Sequence, residues 1–140
     1  MEAANPDAMV IGSRKLPGSK TNIQRTWFRK LLGLIFNTIF TNFIIGLPFR
    51  DTQCGFKFTT HCAAKKVYPV THLGHWCWDP EMLLVARKMK VPIRELPVNW
   101  QEIEGSKVHI VRDTLRMIRD LAMIKLMYCF RLWKLTDFAP

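Results

Sequence analysis

The chain has 140 residues, with 21 Lys plus Arg against 11 Asp plus Glu and an apolar fraction of 49%. That length and composition suit one folded domain with a modest core and exclude a disordered polar polymer. The formal net charge of +10 favours an anionic partner: nucleic acid, an anionic membrane surface or a phosphorylated ligand. Four cysteines, Cys54, Cys62, Cys77 and Cys129, form no C-x-x-C pair and read as reduced thiols. Grouped with His75, three of them fit no standard zinc spacing, so no metal site is expected from them.

Residues 1–8 are short and polar, without the features of a signal peptide. Met9-Val10-Ile11-Gly12-Ser13-Arg14 then reads as the end of a buried strand followed by a turn. One strand needs neighbours. The reading therefore expects an unpaired edge at Met9–Ile11, a chain cut from a longer one, and association through that edge. Arg14 to Arg25 is a basic connection marked by Pro17 and Gly18, either phosphate-binding or simply solvated.

Trp27 to Phe49 is the most lipid-like stretch. Leu31–Phe49 carries no charge and approaches the ~20 apolar residues of a membrane span. Asn37, Thr38, Thr41, Asn42 and Pro48 dilute it, and Arg29 and Lys30 flank it. This pattern favours helices lying in the membrane interface over 27–49, against a true span or a soluble core helix.

Arg50-Asp51-Thr52-Gln53-Cys54-Gly55-Phe56-Lys57 follows, with two cations, a carboxylate, an amide and a hydroxyl in eight residues. It is a polar turn or a binding loop. Thr60–Tyr68 is expected to be a short helix capped by Thr59 or Thr60 and stopped by Pro69. Asp79 is expected to cap a helix over Met82–Met89, with Pro80 in its first turn. Val91–Val98 reads as an edge strand bearing Pro92 and Pro97, and Trp100–Lys107 as a polar loop. Residues 108–135 read as one basic amphipathic helix or two abutting ones. Val111, Leu115, Ile118 and Ala122 form an apolar stripe, and Arg112, Arg116 and Arg119 a basic stripe beside it. The order strand, helix, strand, helix argues for an α/β class.

Asp79 and Glu81 stand at i and i+2. Two carboxylates so placed serve as base and orienter, or neutralise a helix dipole.

Four segments together carry a resemblance. Ile11-Gly12-Ser13-Arg14, Arg50-Asp51-Thr52-Gln53-Cys54-Gly55-Phe56-Lys57, Trp76-Cys77-Trp78-Asp79-Pro80-Glu81-Met82-Leu83-Leu84 and Asn99-Trp100-Gln101-Glu102-Ile103-Glu104-Gly105-Ser106-Lys107 occur in this order. They resemble motifs of the dolichyl-phosphate β-glucosyltransferases, family-2 glycosyltransferases, from about Val10 onward. Pro80 departs from the family, which has Val or similar there. The resemblance implies a GT-A, Rossmann-like fold within one glycosyltransferase domain, of which residues 1–140 form a C-terminal part. It implies transfer of glucose from UDP-glucose to dolichyl phosphate, giving dolichyl β-D-glucosyl phosphate for N-glycosylation. It implies the cytosolic face of the endoplasmic reticulum membrane, a divalent cation (Mg or Mn), and no nucleic-acid partner.

Residue by residue, the resemblance makes Asp79 and Glu81 catalytic candidates. Arg14, Arg29, Arg50, Asp51, Gln53, Ser106 and Lys107 become candidates for binding substrate phosphates, Arg by bidentate contact and Lys as a point charge. A phosphate monoester is already mostly dianionic at neutral pH, its second pKa being ~6. Asp79 is therefore expected to orient groups more than to abstract a proton, and stabilisation of the leaving pyrophosphate to contribute more to the rate. The chain has no Asp-x-Asp motif to hold a metal and donor diphosphate. The family's uridine-binding strands and N-terminal membrane anchor also lack counterparts. The reading is of an acceptor-side half, with a catalytically inactive membrane-associated fragment or isoform as the alternative. A basic nucleic-acid binder is disfavoured by the lack of an RNP pattern, zinc knuckle or recognition helix.

Overall fold

A computed structural model describes residues 7–22, 27–35, 45–101 and 110–135. The fold is mixed α/β. Its centre is β1 (Met9–Ser13), the middle strand of a three-stranded sheet. β3 (Lys57–Thr59) pairs with it antiparallel, Met9 opposite Thr59 and Ile11 opposite Lys57. β4 (Ile93–Pro97) pairs with it parallel, from Met9 opposite Ile93 to Ser13 opposite Pro97. The expected unpaired edge is thus corrected: distant segments flank β1 on both sides, and association through it loses its motive. The edge assignment for Val91–Val98 holds, since β4 is the outer strand among the described residues and tolerates Pro97 there, with Pro92 just before it. A second, two-stranded parallel ladder joins β2 (Thr21–Asn22) to β5 (Trp100–Gln101), so the expected polar loop begins as a strand.

Parallel strands need a long crossover. Here the connection from β1 to β4 includes β3, α2 (His61–Val67) and α3 (Trp78–Lys88). Thr60 caps α2, its hydroxyl accepting from the Ala63 N–H at 3.4 Å. Pro69 lies in the 3-10 turn Tyr68–Val70 that ends the helical run. Pro80 sits in the first turn of α3, as expected. Asp79 does not cap it: the N-cap position is Cys77, and both Asp79 and Glu81 lie inside the first turn. Alternate residues of β1 (Met9, Ile11) meet Ala63 and Val67 of α2, Met82, Leu83 and Val85 of α3, and Leu121 and Ile124 of α4 (Ile110–Cys129) in one buried core.

α4 turns a face other than the Leu115–Ala122 stripe into the core. Its inward residues are Asp113, Leu121 and Ile124, with Met117 and Tyr128 packed at the core margin. Leu115, on the apolar stripe read from the sequence, is 62% exposed. Both helix faces carry apolar residues at helical spacing, and packing of Met117 and Leu121 toward Cys77 and α3 selects between them. Backbone closure ends the helix before residue 135. Arg131 has φ 57°, and the Leu132 N–H donates to the Met127 carbonyl at 2.9 Å, the wrap of a left-handed C-terminal cap.

Within 27–49, α1 spans Trp27–Ile35. Trp27 and Leu34 are exposed. Residues 36–44 lie outside the described residues. Residues 45–49 are not helical, and Ile45 and Leu47 enter the core. No helix among the described residues is long and apolar enough to cross a membrane.

Candidate active site

The site is built where β1 ends. Gly12 is required there by close approach: a Cβ would lie 2.7 Å from Val98 Cγ1 and 3.0 Å from Phe56 Cβ. The Gly12 N–H donates to the Phe56 carbonyl at 2.8 Å, which draws the 50–57 loop onto the strand end. Two residues on, Arg14 grips Asp51 with its guanidinium fork. Nε donates to Oδ2 at 2.6 Å, Nη2 to Oδ1 at 2.8 Å, and the Arg14 backbone N–H adds a third bond at 3.1 Å. The guanidinium also lies 5.5 Å from the centre of the Trp100 ring, at the start of β5.

Burial alone would raise the Asp51 carboxyl, but the hydrogen bonds and charge of Arg14, with Lys15 beyond, outweigh it and hold the group below its ordinary value of 3.8. A depressed carboxyl contributes stability above its unfolded pKa and loses it as pH falls through the folded one. Urea unfolding at stepped pH should therefore show stability falling below about pH 4. Asp51→Asn should be less stable at neutral pH and show a shallower acid slope. An unchanged slope would remove the pair from the account of acid stability.

The loop is anchored from the other side by Glu95 of β4, whose Oε1 accepts the N–H groups of Arg50 (2.9 Å) and Asp51 (3.0 Å). At the far end of the loop, Lys57 donates to the Cys54 carbonyl and pairs with Asp79 Oδ1 at 3.1 Å. The Gln53 amide reaches the Trp76 carbonyl at 3.4 Å. The 50–57 loop thus carries two ion pairs, Arg14–Asp51 near its start and Lys57–Asp79 at its end, with Gln53 between them and Arg50 exposed beside Asp51. Lys57, Glu95 and Trp100 take part in these contacts, none of them a site candidate from sequence. Lys57 is visible in the loop's motif, whereas nothing in the sequence singles out Glu95. Arg29 lies on α1, its side chain not described; Ser106 and Lys107 lie outside the described residues.

Glu81 is separated from Asp79. Residues i and i+2 of a helix project about 200° apart, and Glu81 points into the core, fully buried. It accepts the N–H groups of His72 (3.0 Å) and Leu73 (2.7 Å), contacts His72 Nδ1 at 3.0 Å and accepts the Tyr128 hydroxyl at 3.3 Å. His72 stacks on Trp133 with ring centres 4.1 Å apart. Burial, and then the Glu81 carboxylate, push the Tyr128 hydroxyl well above its usual range. Cys77 is likewise pushed up to about 12, first by burial and then by the Asp120 charge, so its thiol stays protonated. All four cysteines are free.

The carboxylates of the two ion pairs are engaged by cations, Asp51 by Arg14 and Asp79 by Lys57. Among the described residues no three His, Cys, Asp or Glu side chains are grouped to hold a metal ion. These residues do not fit a divalent-cation site.

What the arrangement defines is two part-buried ion pairs, Arg14–Asp51 and Lys57–Asp79, that hold the two ends of one loop beside β1. No family model matches the chain, and no solved structure matches it. Curated relatives do, and they are glycosyltransferases. The chain is 40% identical over 134 residues to the dolichyl-phosphate beta-glucosyltransferase ALG5D of Trichomonas vaginalis, covering 95% of this chain and 40% of that one. It is 40% identical over 133 residues to the dolichyl-phosphate beta-glucosyltransferase of Homo sapiens (95% and 41%) and 34% over 129 residues to that of Saccharomyces cerevisiae (91% and 38%). Nearly all of this chain therefore resembles part of a dolichyl-phosphate β-glucosyltransferase, and it spans about 40% of the length of these relatives.

Proposed function

We propose that the chain forms the acceptor-side part of a GT-A glycosyltransferase that moves glucose from UDP-glucose to dolichyl phosphate at the cytosolic face of the endoplasmic reticulum membrane. One observation carries the reading. Each of the four motifs sends a residue to the ion pairs at the two ends of the 50–57 loop: Arg14 from the first, Asp51 and Lys57 from the second, Asp79 from the third and Trp100, against Arg14, from the fourth. Motifs scattered over nearly the whole chain would not meet along one loop if each served only its local turn.

In this reading the acceptor phosphate, already dianionic, attacks the anomeric carbon of the donor, and UDP leaves with the bonding pair. Arg50 and Lys57 supply positive charge for the acceptor, while Asp79 fixes Lys57 and the phosphate's approach. Ser106, Lys107 and Arg29 are proposed for the same anionic groups. Mg or Mn belongs to the proposal with ligands other than the residues described, and no step here runs through it. The test is phosphorus NMR titration of this chain with a water-soluble short-chain polyprenyl phosphate. Saturable binding, weakened about tenfold or more by Lys57→Met, is expected. No saturable shift, or none altered by the substitution, would contradict the acceptor assignment.

The outward face of α4 supports the membrane reading. Leu115 and Leu126 are exposed there beside Arg112, Arg116 and Arg119, and Phe130 and Leu132 are exposed just past its C-terminus. Apolar area interleaved with cations is the pattern of a helix lying on anionic lipid. Arg112 and Arg119 each hold a neighbouring aspartate, Asp113 and Asp120, which tempers the gain. Reversing all three arginines to Glu should lower flotation with anionic vesicles at least about tenfold, a near-surface cation contributing about 1 kcal/mol. Undiminished flotation would remove this face from the proposal.

A further inference from the structure

A second site lies away from these two ion pairs. Loop residues Ile45 and Gly46, the C-terminal end of α3 and the C-terminal half of α4 enclose an open cleft of about 420 Å³. Ile45, Leu84 and Ile124 give it an apolar floor. Arg87, Lys88 and Lys125 stand around it, all exposed, and among the described residues no carboxylate lines it. Arg87 donates to the Gly46 carbonyl, which fixes the loop wall. Lys88 Nζ lies 5.5 Å from the centre of the Tyr128 ring, which holds that ammonium at the cleft wall.

Three cations around one apolar hollow repel one another, and an anion relieves that repulsion. A small inorganic anion would use the charge and waste the floor. A neutral hydrocarbon would use the floor and leave the cations idle. An amphiphile uses both, and the volume lies within the usual range for small-molecule sites. Leu126 in the last turn of α4 and Phe130 just past it are exposed, so the site lies on the helix proposed to meet lipid. The cleft is at the opposite end of α3 from Asp79. At 1.5 Å per residue, Arg87 and Asp79 are separated by roughly 12 Å along the helix axis. A lipid phosphate held in the cleft is therefore not presented to Asp79.

We infer that this cleft binds one anionic phospholipid, its phosphate among Arg87, Lys88 and Lys125 and the start of an acyl chain on Ile45, Leu84 and Ile124. The site does not rest on the transferase reading; a chain with no transfer activity would still show it. The test is isothermal titration calorimetry of the 140-residue chain with dihexanoyl phosphatidylglycerol below its micelle concentration. Dihexanoyl phosphatidylcholine and inorganic phosphate are titrated in parallel. One saturable site for phosphatidylglycerol is expected, with both comparators weaker by about tenfold or more. Lys88→Glu with Lys125→Glu should weaken it by a similar factor. Lys65→Glu with Arg94→Glu, the same charge change at positions outside the cleft, should leave it within about twofold. None of the four side chains belongs to the buried core, so the fold is not at stake. Phosphatidylcholine binding as tightly would make the cleft a hydrocarbon site. Inorganic phosphate binding as tightly would make it a simple phosphate site. Equal losses in the two double variants would reduce the effect to overall charge. Any of these results, or no saturable binding, overturns the inference.

Discussion

Asp79→Asn, in a chimera that joins this chain to the donor-side part of a related glucosyltransferase, is expected to lower kcat and kcat/KM together. For an orienting carboxylate the expected loss is on the order of 10²-fold, the cost of a misplaced reacting group. Asn keeps the volume and removes the charge that pairs with Lys57 at 3.1 Å. The structure removes one silent explanation, because Asp79 is not the N-cap of α3. Two roles remain separable. If Asp79 acts only by holding Lys57, whose side chain is 9% exposed, Lys57→Met should reproduce the loss and the double variant should add nothing further. If Asp79 acts on the reacting groups directly, the double variant should be worse than either single one. Full activity in the Asn chimera would refute both roles.

Glu81→Ala is expected to be the most damaging single change to stability. It strips the acceptor from two backbone N–H groups, from the His72 ring and from the Tyr128 hydroxyl, all beside a fully buried carboxylate. Each buried donor left unsatisfied costs about 1–3 kcal/mol. A total of about 3–5 kcal/mol is expected, the range for breaking a buried charged partner. Against a usual stability of about 5–15 kcal/mol this leaves a marginal fold. Urea unfolding measures it, and a loss below about 1 kcal/mol would contradict the framework role given to Glu81. Glu81→Gln keeps part of the acceptor capacity and should fall between. In the chimera, any Glu81→Gln protein that folds should retain most of its kcat, because Glu81 turns away from Asp79.

Signals in the sequence are legible where local chemistry decides structure. Thr60 caps α2 because its hydroxyl reaches the N–H three residues on, and Pro80 fits a first turn that needs no donor from it. The edge position of β4 follows from Pro97, with Pro92 just before the strand. Pairing is not legible. β1 looks like an orphan because its partners come from Lys57–Thr59 and Ile93–Pro97, and nothing in a five-residue strand announces a neighbour so distant in sequence. The face of α4 is ambiguous because Val111-Leu115-Ile118-Ala122 and Met117-Leu121-Ile124-Tyr128 both follow helical spacing. Only the packing of the second set against the rest of the core chooses it. At the site, motif order identifies Arg14, Asp51 and Asp79 but not their ion-pair partners. Asp79 and Glu81 look like a pair because spacing in sequence hides that i and i+2 face opposite ways. Glu95 is invisible, since it acts through two backbone N–H groups of a loop 44 and 45 residues away.

The most direct measurement is transfer itself. The chimera of this chain with a relative's donor-side part is given UDP-glucose labelled in the sugar, with dolichyl phosphate in mixed micelles. Labelled lipid phosphate is then extracted and counted. The account predicts transfer by the chimera, none by the donor-side part alone, and a loss of about 10²-fold on Asp79→Asn. A chimera that folds and binds UDP-glucose yet transfers no glucose to dolichyl phosphate would contradict it.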